Sequence, residues 1–255
     1  MTLRFLQKWH GAGNDFLVEV LEHGTAPWWD ASRVRAVCQR STGVGADGLL
    51  LATVGSEVTM VLYNADGSRA EMSGNGARCL AAAVRRATRG TWRELDLHTD
   101  AGVRHVSLTG DRDAGTGLVD MGDVTIGPGP EGTLGSAVVG NSHLVVLDDS
   151  TWTDELRAQR AHEWASAWGG ANVEFITPVT RDRIMLRVFE RGVGWTLACG
   201  TGSCAVGAVA RHHGLCDDVV TVANPGGDLD VRLVGQRATL SGPYQFVANV
   251  EWLET

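Results

Sequence analysis

The chain repeats itself. Tyr63-Asn64 and Phe189-Glu190 stand 126 positions apart, as do Ser73-Gly74 and Cys199-Gly200, and Gly13-Asn14 and Gly140-Asn141 stand 127 apart. Three matches in one order at nearly one offset predict two similar domains. In each half a β-branched and aromatic run, VTMVLYN (58–64) or IMLRVFE (184–190), reads as a strand. Nine positions past its last residue comes Ser73 or Cys199, then Gly-Asn-Gly or Gly-Thr-Gly. An apolar helical run follows, ARCLAAAVRRA (77–87) or SCAVGAVARHH (203–213). A helix apolar on nearly all sides is normally buried. The expected fold class is therefore α/β (α+β), with two pseudo-symmetric domains, each a β-barrel-like mixed sheet wrapped around a central apolar helix.

The expected domains are 1–113 and 114–243, with DRDAGTG (111–117) as the link and the strand-like tail in 244–255 pairing back onto the first domain. Further strand-like stretches are GLLLAT (48–53), LDLHT (95–99), VRHVSLT (103–109), HLVVLD (143–148), VTVAN (220–224), LDVRLV (229–234) and RATLSG (237–242). GPGPEGTLG (127–135) reads as a surface loop, and 151–168 as a helix capped by Thr151 or Thr153 with acidic residues in its first turn.

At 255 residues the chain is long enough for two cores. Its net charge of −8 argues against nucleic acid as a main partner, because phosphate binding needs a basic face. No apolar run approaches the roughly 20 residues of a membrane span, and the first residues do not read as a signal peptide. Five cysteines, irregularly spaced and without C-x-x-C, suggest neither a zinc knuckle nor a disulfide framework. A reducing, cytoplasmic setting is expected.

The glycine turns carry the chemistry. A helix N-terminus offers unpaired N–H groups and a partial positive charge, which suits an anion, and Gly74-Asn75 and Gly200-Thr201 let a ligand approach closely. GVGADG (43–48) matches a dinucleotide fingerprint in letters only, since a strand-like run follows it where a helix is required. A cysteine at such a terminus is expected to have a lowered pKa and to serve as base or acid near neutrality. Two such groups on opposite faces of one α-carbon would invert it, one removing the proton and the other returning it from behind. Neither a metal nor an organic cofactor is required by that scheme, and none is expected.

With these motifs on the page, the sequence resembles the diaminopimelate epimerase family of cofactor-independent amino-acid racemases. The resemblance spans nearly the whole chain. It rests on KWHGAGNDF (8–16), GVGADG (43–48), YNADGSRAEMSGNGARC (63–79), HTDAG (98–102), GNSH (140–143), ANVEF (171–175) and FERGVGWTLACGTGSC (189–204). It implies two similar α/β domains with the site in the cleft between them, an isomerase serving lysine and cell-wall precursor synthesis, and a homodimer. It implies that Cys199 is one of two acid/base residues. Asn64, Asn141, Asn172 and Arg191 would hold the distal carboxylate of the substrate, and Glu190 the distal ammonium. Asn14 would belong to the pocket, and the backbone at Gly74-Asn75 and Gly200-Thr201 would hold the reacting carboxylate. His143 either supports Asn141 or is a satisfied core histidine. Cys38, Cys79, Cys204 and Cys216 read as packing residues.

Two departures stand out. Ser142 replaces a common proline. Ser73 stands where the family carries the second catalytic cysteine, and an alcohol is a far weaker acid that needs a base to activate it. Three readings follow for Ser73: an engineered Cys→Ser inactive form of an epimerase, a natural divergent member doing one-base chemistry such as elimination or exchange, and a non-catalytic amino-acid-binding module.

Overall fold

A two-residue turn opens the fold. β1 (Leu3–Gly11) and β2 (Asn14–Glu22) pair antiparallel with Gly11 opposite Asn14. Ala12 and Gly13 between them have φ of 52° and 81°, the doubly positive backbone that matches the twist of a tight hairpin. The computed structural model describes residues 3–26 and 28–253. They divide into unit 1, running through Val119 and resuming at Gly242, and unit 2, Asp120–Ser241.

In unit 1, β2 runs parallel to β3 (Gly48–Val54), which is antiparallel to β4 (Val58–Asn64). β4 is parallel to β6 (Glu94–Thr99), and β6, β7 (Gly102–Gly110) and β8 (Ala114–Asp123) follow antiparallel. β17 (Arg237–Leu253) pairs with both β1 and β8 and closes the sheet. A short β5 (Arg69–Ala70) folds back onto β4.

Unit 2 repeats this order. β9 (Thr125–Gly127) and β11 (Asn141–Leu147) flank β10 (Gly135–Val139) antiparallel. β11 is parallel to β12 (Asn172–Thr180), and β12 antiparallel to β13 (Arg183–Glu190). β13 is parallel to β15 (Val219–Asn224), and β15, β16 (Gly227–Val234) and the first residues of β17 follow antiparallel. β14 (Gly194–Thr196) folds back onto β13 as β5 does onto β4. From β1 to β8 and from β10 to β17 the pairings run antiparallel, parallel, antiparallel, parallel, antiparallel, antiparallel.

Each barrel holds one helix. α2 (Gly74–Ala87) packs against β1, β2, β3, β4, β6 and β7, and α4 (Gly200–His212) against β9, β10, β11, β12, β15 and β16. Crossover helices α1 (Ala31–Cys38) and α3 (Asp154–Ala167) join the parallel pairs β2–β3 and β11–β12. Leu17, Val34, Val37 and Leu49 bury α1, and Val146, Ala161, Trp164 and Phe175 bury α3. Each such side chain removed from water contributes about 1.5–3 kcal/mol for the larger residues. Thr153, not Thr151, caps α3, accepting from the Leu156 N–H at 3.3 Å.

The structure revises three local expectations. Residues 111–117 are no free link: from Ala114 they lie in β8, paired with β7. RATLSG and the tail are one 17-residue strand, β17, whose second half pairs with β1. The central helices begin at the glycines themselves, because Ser73 and Cys199 satisfy first-turn N–H groups. Nor is α2 purely apolar. Arg78 is fully buried and donates to Gly74 O, Asn75 Oδ1 and Pro243 O, while buried Arg85 donates to the Tyr244 hydroxyl and to Asp111 O.

Candidate active site

Both central helices start the same way. Ser73 has φ −142° and ψ 122°, and its Oγ accepts from the Gly76 N–H at 3.0 Å. Cys199 has φ −128° and ψ 116°, and its Sγ accepts from the Gly202 N–H at 3.4 Å. In each cap the residue's own carbonyl accepts from the fourth residue on, Ala77 or Ser203. The N–H groups of the first turn, at Gly74-Asn75 and Gly200-Thr201, are those that a helix leaves for a ligand.

In unit 1 the cap is tied to the hairpin. Asn75 Nδ2 donates to Asn14 Oδ1 at 3.2 Å, and Asn14 Nδ2 donates to Asp47 Oδ2 at 2.8 Å. Arg78 Nη2 donates to Asn75 Oδ1 at 2.6 Å. Asp47, in the GVGADG segment, also accepts from the Asp15 N–H and pairs with Arg40, which in turn pairs with Asp15. Asn14, Asn75, Gly74 and Arg78 thus form one hydrogen-bonded group at the start of the helix that Ser73 caps. Asn64 ends β4 at the same edge of the sheet, opposite Gly48, and donates to Ser68 within its own turn.

In unit 2, Asn141 and Asn172 begin parallel neighbours β11 and β12, and Glu190 ends β13 beside them, which gathers all three at one edge. Asn141 Oδ1 lies 2.8 Å from His143 Nε2. Asn172 Oδ1 accepts from the Arg191 N–H at 2.9 Å, and Glu190 Oε1 accepts from the Thr196 hydroxyl at 2.5 Å. Arg191 is exposed. Thr201 Oγ1 sits 3.5 Å from the Cys199 sulfur, and Asn224 Oδ1 accepts from the Cys199 N–H.

The Cys199 thiol departs from expectation. Burial, followed by the charges of Glu190 and Glu174, pushes its pKa well above the ordinary cysteine value, although the hydroxyl of Thr201 and the N–H of Gly202 act the other way. The helix terminus alone does not decide the proton's position, because desolvation and two carboxylates outweigh it. Cys38 and Cys79 are pushed up to about 12 and Cys216 to about 11, each mainly by burial, as suits packing residues.

His143 and Glu174 were not both legible as site residues. Both are fully buried, with His143 Nδ1 and Glu174 Oε1 2.6 Å apart. His143, Glu174 and Cys199 bring a ring nitrogen, a carboxylate oxygen and the sulfur within 4.8 Å of one another. Phe16 and His143 share the repeat's 127-residue offset, but Leu50 and Glu174 stand 124 apart, so strand register rather than the sequence offset exposes the second match. β2–β3 sets Phe16 opposite Gly48, and β11–β12 sets His143 opposite Asn172, so Phe16 matches His143 and Leu50 matches Glu174.

Each unit is thus a mixed barrel around a capped central helix, an architecture shared with solved structures. The chain superposes on a hydroxyproline epimerase from Agrobacterium vitis with TM-score 0.77, 14% identity and coverage of 98% of this chain and 92% of that one. It superposes on a probable proline racemase from Agrobacterium radiobacter with TM-score 0.76, 15% identity and coverage of 100% and 94%. A diaminopimelate epimerase family model matches residues 6–127 and 135–247. The diaminopimelate epimerase of Synechocystis is 35% identical over 276 residues, covering 97% of this chain and 98% of that protein. That of Xanthomonas campestris is 36% identical over 286 residues, covering 98% and 96%. The chain belongs to the diaminopimelate epimerase family.

Proposed function

We propose that the chain inverts one α-carbon of diaminopimelate, LL to meso, by proton transfer without an organic cofactor, with Cys199 serving one face of that carbon and Ser73 the other. The observation that carries this reading is the matched pair of caps: the same backbone angles, the same bond from the second glycine, one ending in a thiol and the other in a hydroxyl. The helix N-termini hold the reacting carboxylate and stabilise the charge that moves onto it once the proton leaves. Asn64, Asn141, Asn172, Glu190 and Arg191 read the distal amino-acid head, and Asn14 supports the cap through Asn75. Ser73 slows inversion, since among the described residues its hydroxyl has a capping bond from Gly76 and the interior positions of unit 1 that match His143 and Glu174 are Phe16 and Leu50. A homodimer in the cytoplasm fits the family. No helix of the described residues is long and apolar enough to cross a membrane.

Each stereoisomer incubated separately in D₂O tests this. The Ser73 chain should wash deuterium into one isomer faster than the other, with little interconversion. Ser73→Cys should raise turnover at least about 100-fold, the scale of a placed acid/base group. Fast, symmetric interconversion by the Ser73 chain would refute the need for a thiol there. Binding without exchange by either form would remove the catalytic reading.

A further inference from the structure

The two central helices differ in what lies behind their first turn. In unit 1 the second glycine of the cap, Gly76, faces hydrocarbon: a Cβ placed there would lie 3.3 Å from Leu50 Cδ2. In unit 2 the equivalent Gly202 faces Glu174, and a Cβ would lie 2.6 Å from its Oε1. Gly202 is also the residue whose N–H holds the Cys199 sulfur. Glu174 Oε1 is engaged by His143, while its Oε2 is buried without a hydrogen-bond partner among the described residues. An acid left half-satisfied in the interior is costly, and the fold has a ready apolar alternative in its own first unit. The exchange of Phe16 and Leu50 for His143 and Glu174 is therefore placed beneath one cap only.

We propose that Glu174, held by His143 against the first turn of α4, is a positioning residue that holds Cys199 as a neutral thiol in the resting protein. The assignment of Cys199 to the proton transfer rests on the reading above. The mechanism of the effect is charge: a carboxylate behind the first turn opposes the thiolate that the helix N-terminus favours. The groups around the sulfur are Glu174 on β12, Glu190 on β13, Thr201 on α4 and His143 on β11, whose ring nitrogen lies within 4.8 Å of it, while Asn224 on β15 accepts from the Cys199 N–H.

The test reads the thiol itself, without substrate, so it stands apart from turnover. Alkylation of Cys199 by iodoacetamide, followed across pH by peptide mass spectrometry, should show a midpoint in the native chain above the roughly 8.5 of a free cysteine. Glu174→Gln should lower that midpoint by a unit or more, speeding alkylation at pH 7.5 about tenfold. The double replacement His143→Phe with Glu174→Leu, which copies unit 1, should do the same and guards against misfolding of the single variant. A native midpoint below 8.5, or folded variants whose midpoint does not move, overturns the proposal. Deuterium exchange into diaminopimelate is scored separately, so loss of the epimerase reading is told apart from loss of this one.

Discussion

One methyl group should distinguish Gly202 from Gly76. At Gly202 it would meet Glu174, whose carboxylate is pinned by His143 and cannot swing away. At Gly76 it would press only on Ser73 and a flexible Leu50 methyl, at 3.1 to 3.3 Å. Gly202→Ala is expected to cost about 1–3 kcal/mol, the usual range for overpacking, and to cut activity. Gly76→Ala should stay within about 1 kcal/mol. Thermal denaturation of the two variants side by side checks the difference. Residues of this kind mark where reading the sequence stops. Ser73 and Cys199 were legible because the repeat aligned them. Glu174 was not, since nothing in ANVEF announces a buried acid until strand register sets it against Leu50.

Among elements, the β1–β2 hairpin is latched to the GVGADG segment by charge. Asp15 pairs with Lys8 and Arg40, and Asp47 pairs with Arg40 while accepting from Asn14. Burial works against the charged form of Asp15, but its bonds to Arg40 and Lys8 prevail and its carboxyl is held below the usual 3.8. A carboxyl with a lowered folded pKa adds stability that is complete above its unfolded pKa and fades as pH falls through the folded one. The latch should therefore weaken below about pH 4. Asp15→Asn should lower the melting temperature at pH 7 and flatten its fall between pH 5 and pH 3, measured by calorimetry. The latch escaped the sequence because its partners come from β1, β2 and the segment after α1, distances that no local pattern spans. By contrast, the central helices and the strands before them were visible as apolar runs. Their first turns were missed because glycine is a poor helix former, and only the capping bonds show that the helix already includes it.

For the whole molecule, the repeat was the legible part. The return of the tail to unit 1 was legible too, but its continuity with RATLSG was not, because β17 looked like two short pieces broken by Gly242-Pro243. Its second half pairs with β1 from Leu3–Leu253 to His10–Gln245 and brings in Tyr244, whose buried hydroxyl donates to Thr109 O and Asp111 O. Removing residues 243–255 should strip protection from β1 and β7 in hydrogen–deuterium exchange while β11, β12 and β13 remain protected. Equal loss in all five strands would show that unit 2 also depends on that segment.

The pairing of β1 with the end of β17 also orders events during synthesis. The strand segment that completes unit 1 leaves the ribosome after every residue of unit 2 has emerged. The second half of the chain can close its barrel first, while the first half waits with an open edge along β1. Unit 1 is thus begun before unit 2 and finished after it, and the nascent chain has to keep that edge unpaired until the second half of β17 emerges.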